Sequence, residues 1–176
     1  MGYVVRSGEA KTKTFRIDNA FIDELEEEAK QQGLSTNTLA ERIIERYINH
    51  SRWIDKMDAL SILPQTMNKL LEKIDDKTIE ELGAELGSMI PKEGFLIRGM
   101  NDSRASAKIL VEEILGGFQH WFNASYHESD KPYYYLRSRH SVRWMKFVEA
   151  YLKAFFKSMD IEAQIIRRGS NIQILV

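Results

Sequence analysis

Between residues 11 and 18 polar and apolar side chains alternate, and two short amphipathic helices follow at once. Thr12, Thr14 and Arg16 fall on one face of this stretch and Lys13, Phe15 and Ile17 on the other, because successive side chains of a strand point to opposite sides. Asp18 is placed to cap a helix along which Phe21, Ile22, Leu25 and Ala29 recur at helical spacing. Gly33 predicts a left-handed stop, and Ser35 a second cap. Leu39, Ile43, Ile44, Tyr47 and Ile48 then form a wide apolar stripe. A lone short strand has unpaired edges, and about 40 residues bury too little surface to fold alone. Pairing the strand with its copy in a second chain meets both needs. The order therefore predicts a homodimer.

The strand KTFRID, the helix NAFIDELEEEAKQQ, the turn GLS and the helix TNTLAERIIERYI resemble the ribbon-helix-helix family, the β-ribbon DNA readers of the MetJ and Arc repressor type. The resemblance covers residues 11–50, under a third of the chain. It implies a two-stranded antiparallel ribbon inserted in the major groove of double-stranded DNA. Phe15 and Ile17 would pack on the intertwined helices, and Thr12, Thr14 and Arg16 would face base edges. An arginine can read guanine bidentately, worth roughly 1–3 kcal/mol of discrimination. Ser35, Thr36 and Asn37 would set backbone N–H groups and a helix dipole against a phosphate. Lys13 departs from the family pattern, standing where an apolar residue is usual; its amine can snorkel to solvent or phosphate.

The net charge of −1 and pI near 6.4 give no global basic field. Locally, Arg6, Lys11, Lys13 and Arg16 precede a helix carrying Asp23, Glu24, Glu26, Glu27 and Glu28, an arrangement that averaging hides. Cysteine is absent, which excludes disulfides, thiolate metal sites and cysteine nucleophiles. The first residues lack a signal-peptide core, and no apolar run reaches the ~18–20 residues of a membrane span. A soluble, cytoplasmic protein is expected, with no membrane partner.

Residues 1–10 read as a flexible arm, and 51–77 as a helical connector broken at Pro64, with Met67, Leu70, Leu71 and Ile74 on one stripe. Asp75, Asp76 and Lys77 mark a boundary. Thr78, Ile79, Glu80 and Glu81 have the form of a capping box, opening a helix that should stop at Pro91. Then come strand 94–98, helix 102–115, strands 118–127 and 133–140, helix 142–158, and strands 161–167 and 171–176. Residues 78–176 thus predict an α+β domain with a mainly antiparallel sheet. Its first six elements match a ferredoxin-like βαββαβ sandwich; the alternative is ββαββ, two hairpins around one helix, as in domains of the 4-vinyl-reductase type.

A ribbon-helix-helix module before a ferredoxin-like domain resembles the nickel-responsive repressors, whose second domain tetramerises and binds metal. This chain does not reproduce that site: its histidines are His50, His120, His127 and His140, and only His120 and His140 would meet, across a hairpin centred near residue 130. No metal or cofactor is expected. That hairpin would put Phe118, Phe122, Tyr126, Tyr134 and Leu136 in the core. Trp121, Tyr133, Tyr135, Arg137 and Arg139 would lie on the opposite face, with Asn123 and His127, as a ligand or subunit interface. Nothing recommends catalysis: there is no phosphate-binding glycine loop and no serine–histidine–acid order. Asp75, Asp76, Glu112 and Glu113 read as solvated surface. The expectation is a homodimeric or tetrameric DNA-binding transcriptional regulator whose second domain oligomerises or senses a small-molecule effector. The rivals are an antitoxin-like interaction protein, and a ligand-binding protein whose front module only dimerises.

Overall fold

The computed structural model describes residues 2–57 and 59–176. Backbone contacts divide the chain into two compact units, Gly2–Ala59 and Leu60–Val176. The division falls inside the expected 51–77 connector, which is therefore shared between the units and is no separate element.

In the N-terminal unit, α1 (Asn19–Gln31) opens on Asp18, whose carboxylate accepts the Ala20 N–H at 2.9 Å. Gly33 ends it with φ +67°, and the Leu34 N–H reaches back to the Ala29 carbonyl at 2.8 Å. That is a Schellman cap, and only glycine adopts its backbone freely. Ser35 caps α2 (Thr36–Arg46) through the Thr38 N–H at 3.1 Å. The helical path continues beyond the expected end, through a π-helical segment (Tyr47–Ser51) into α3 (Arg52–Lys56). Residues 2–6 lack regular structure but are not loose, a correction to the expected free arm. The buried Asn49 side chain exchanges two 2.9 Å hydrogen bonds with the Val4 backbone, as a strand partner would. Arg6 pairs with Glu45 at 2.7 Å, and Arg52 donates to the Gly2 carbonyl at 3.0 Å.

The C-terminal unit is a layer of helices on a four-stranded antiparallel sheet. Pro64 stands at the first position of α4 (Pro64–Leu71), where its missing N–H costs nothing. Met67, Leu71 and Ile74 pack into the main core, whereas Leu70 stays exposed. The next helix, α5 (Asp76–Ile97), begins earlier than the expected capping box. Asp75 caps it, accepting from both the N–H and hydroxyl of Thr78 at 3.0 and 2.6 Å. It also runs through Pro91, so the strand expected at 94–98 is helix. Proline inside a helix costs ~3 kcal/mol. The buried face of Ile79, Gly83, Gly87, Pro91, Gly94 and Phe95 offsets that cost.

Ser103 caps α6 (Arg104–Ile109), which passes into a π-helical segment (Leu110–Phe118). This displaces the start of the expected 118–127 strand. The strands are β1 (Asn123–His127), β2 (Tyr133–Arg137), β3 (Gln164–Arg168) and β4 (Asn171–Leu175), in the order β1-β2-β4-β3. With no strand at 94–98, the ferredoxin-like order is replaced by two hairpins around one helix, α7 (Val142–Ser158). The expected hairpin centre holds, since Asn123 pairs with Arg137 and His127 with Tyr133. Phe122, Tyr134 and Leu136 are core as expected. Tyr126 is partly exposed, and Phe118 lies in the π-helical segment. Met145, Val148, Leu152 and Phe155 of α7 are fully buried against Ile172 and Ile174 of β4 and Phe95 of α5.

Candidate nucleic-acid interface

Residues 11–18 carry no regular secondary structure in the single chain, and every one of them is exposed. The strand expected at 12–17 pairs with no strand of its own chain among the described residues. Thr12, Thr14 and Arg16 are therefore open along one short segment. Lys11, Lys13 and Arg16 form no ion pair among the described residues, whereas Arg6 is taken up by Glu41 and Glu45. Hydrogen bonding and attraction to Glu45 hold the Arg6 guanidinium above its ordinary range and the Glu45 carboxyl below its own. Arg6, grouped with the basic strand by sequence, is thus neutralised locally.

The apolar side of the same segment is equally uncovered. Phe15 is 68% exposed and Ile17 48%, and Phe21, Ile43, Ile44 and Tyr47 of the helices also face solvent. Among the described residues of this unit, buried hydrophobic side chains are few: Ala29, Leu39 and Trp53.

At the start of α2, the Ser35 hydroxyl is engaged as a cap, bonding the Thr38 N–H and lying 2.8 Å from its hydroxyl. Thr36 and Asn37 are the first two helical residues, so their N–H groups have no intrahelical acceptor. Asn37 is exposed and Thr36 half-buried. Of the three residues expected at a phosphate, Ser35 thus has its side chain engaged in capping, and the N–H groups of Thr36 and Asn37 have no acceptor within the helix.

In the C-terminal unit the expected outward face is only partly realised. Trp121 is not on it. His120 takes φ +56°, β1 starts only at Asn123, and the Trp121 ring turns inward to Trp144 and Tyr151, at 5.0 and 5.1 Å. Tyr133, Tyr135 and Arg137 do point outward from β2, and Arg139 is exposed just beyond it. The two histidines expected to meet do so differently: the His140 ring lies 3.1 Å from the His120 backbone carbonyl. His127 stacks on Tyr133 at 4.7 Å. Among the described residues, no group of three or more His, Cys, Asp or Glu is placed to hold a metal ion.

Glu112, read from sequence as solvated, is half-buried in the π-helical segment, and burial raises its pKa. Burial, helped by Glu112, pushes the neighbouring Tyr134 hydroxyl up to about 12. Asp75 and Asp76 are surface groups with structural duties, Asp75 as a cap and Asp76 in a 2.6 Å ion pair with Lys146. Among the described residues no helix is long and apolar enough to cross a membrane.

No protein-family model, curated protein or solved structure matches this chain.

Proposed function

We propose that the chain is a sequence-specific regulator of transcription that binds double-stranded DNA as a homodimer in the cytoplasm. Segment 12–17 pairs with its copy from a second chain, and the resulting ribbon enters the major groove. The observation that carries this reading is the combined exposure of Phe15, Ile17, Phe21, Ile43, Ile44 and Tyr47 together with an exposed segment 12–17 that joins no strand of its own chain among the described residues. A second copy covers the apolar side and satisfies the backbone in one step. Thr12, Thr14 and Arg16 then remain on the outer side of the ribbon, facing bases. The N–H groups of Thr36 and Asn37 receive a phosphate, which fixes the register without reading sequence.

The C-terminal unit serves as the regulatory or oligomerising half. Its own buried core, from Leu71 to Ile174, favours this role over that of an antitoxin tail that orders only on a partner.

Selection of bound fragments from a random duplex library tests the proposal. A near-palindromic site should be enriched by the wild type and lost when Thr12, Thr14 and Arg16 are all replaced by alanine. Arg16→Ala alone should relax preference at one base step by roughly 1–3 kcal/mol. No enrichment from a folded dimer would sink the DNA-reading proposal.

A further inference from the structure

The outward side of the C-terminal sheet has a chemistry its inner side lacks. None of the four strands contains Asp or Glu. On the helix-facing side, Arg167 is neutralised by Glu149 of α7 at 2.6 Å. On the outward side, Arg137 and Arg168 stand in one row, with Asn171 of β4 between them. Two strand spacings, roughly 10 Å, separate their backbones. Arg139 follows just past the end of β2. None of these three arginines has a hydrogen bond or ion pair among the described residues. Two residues along β2 from Arg137, about 6.8 Å, Tyr135 stands exposed, and Tyr133 with its stacked His127 occupies the row beyond.

We propose that this sheet face binds single-stranded nucleic acid, with the arginine row on the phosphates and Tyr135 and Tyr133 as stacking surfaces for bases. Three physical arguments select that occupant. The strands carry no carboxylate, and Glu128 and Asp130 lie in the β1–β2 turn at the end opposite the arginine row, so three unpaired guanidiniums make that end of the face complementary to a polyanion. An open sheet is shallow, whereas small ligands are held in concave sites that bury most of their surface; a strand lying along the sheet needs no cavity. A duplex hides its base faces, so exposed tyrosine rings can be used only by unpaired bases. The site is separate from segment 12–17 and does not rest on the duplex-reading proposal.

The test uses the full chain and fluorescein-labelled oligouridine and oligothymidine of about 20 nucleotides, longer than the roughly 4–16 that a small single-strand-binding fold covers. Anisotropy titrations run across a range of salt. Binding of one or both strands is expected, and oligodeoxyuridine, which differs from oligouridine only in lacking the 2′-hydroxyl, reads the sugar preference. Tyr135→Ala should weaken binding about tenfold. Replacing Arg137, Arg139 and Arg168 with glutamine should flatten the log–log salt slope by about 2, at ~0.7 per phosphate contact. Arg168→Glu, at an exposed site beside the turn, tests the face without touching the core, and should abolish binding. Arg16→Ala should leave single-strand binding unchanged, so this inference and the duplex reading fail separately. Absence of binding at low salt, or unchanged affinity in folded Tyr135→Ala and Arg168→Glu proteins, would overturn the proposal. So would dissociation of a self-assembled form by Tyr135→Ala, since a second copy would then own the face.

Discussion

Phe95 and Phe155 meet edge to face at 6.1 Å inside the C-terminal unit, both almost fully buried. Phe15 and Phe21 of the N-terminal unit lie open to solvent. Both units have well-capped helices, so the contrast is not one of local structure. It lies in where the apolar side chains find partners. Leu60–Val176 closes a core within one chain; Gly2–Ala59 completes its caps and turns but leaves its apolar faces outside. Capping residues are local and act in a single chain, whereas an apolar stripe becomes stabilising only when something covers it.

The sharpest way to break the comparison is to charge the uncovered face. Ile43→Asp alters a side chain that is 50% exposed in the single chain and should hardly disturb that chain's own fold. In a dimer that covers this face, two carboxylates would be buried without partners. At ~2 kcal/mol or more each, association should weaken about a thousandfold. Sedimentation equilibrium would read this directly, and an unchanged dimer would show that the stripe is not the interface.

The next largest effect belongs to the self-sufficient unit. A methyl group at Gly87 would overlap the Tyr151 carbonyl, and one at Gly83 would sit 2.6 Å from the Phe147 carbonyl. These are backbone atoms of α7, so they cannot swing aside. Gly87→Ala should cost about 3 kcal/mol, the upper end for overpacking. Gly117→Ala, whose methyl would meet nothing nearer than 3.5 Å, serves as the control. Urea denaturation of the full chain measures both. Equal midpoints for the two variants would refute the close approach of α5 and α7.

That pair of helices also shows where sequence legibility ends. The bounds of α7 could be read in advance, because Ser141 caps it and Met145, Val148, Leu152, Phe155 and Phe156 keep one face throughout. Those of α5 could not. Pro91 reads locally as a stop, yet the helix runs through it to Ile97, and Gly83 and Gly87 thin one of its faces for a partner some sixty residues away. Trp121 departs from the expected outward face for a related reason: a π-helical segment ending at Phe118 and a positive φ at His120 shift the strand start, and alternation carries no sign of either. The sequence carries no sign that Arg168 shares a row with Arg137, because that row exists only once β4 lies between β2 and β3. The N-terminal turn was legible throughout, since Asp18, Gly33 and Ser35 act on neighbours within a few residues.

A smaller effect, confined to the C-terminal unit, separates the two by pH. Burial pushes the Glu149 carboxyl up, but hydrogen bonds from Lys153 and Arg167 outweigh it and hold the carboxyl below its ordinary range. A depressed carboxylate stabilises the fold above its unfolded value, and that contribution is lost as pH falls through the folded value. Glu149→Gln should therefore cost about 1 kcal/mol at pH 7, and little at a pH below the folded value. Stability of the full chain, followed by α7 amide exchange from pH 7 to pH 3, checks the sign. A cost that grows on acidification would contradict it.

The smallest effects come from the same chemistry placed once in each unit. Ser35 caps α2 through the Thr38 N–H at 3.1 Å, and Ser141 caps α7 through the Trp144 N–H at 3.2 Å. Replacing either with alanine should cost about 1 kcal/mol. Ser141 also donates to Asn68 at 2.9 Å, so its loss should be slightly the larger. The two losses should nevertheless differ in kind. If the N-terminal unit is completed only by a second copy, the Ser35→Ala deficit must depend on protein concentration, because mass action can restore the folded dimer. The Ser141→Ala deficit must not, since the core beneath α7 lies within one chain. Thermal midpoints of both variants over a hundredfold range of concentration would show the difference. A Ser35→Ala midpoint insensitive to concentration would mean that Gly2–Ala59 is stable with Phe15, Ile43 and Tyr47 uncovered, and the contrast between the units would collapse.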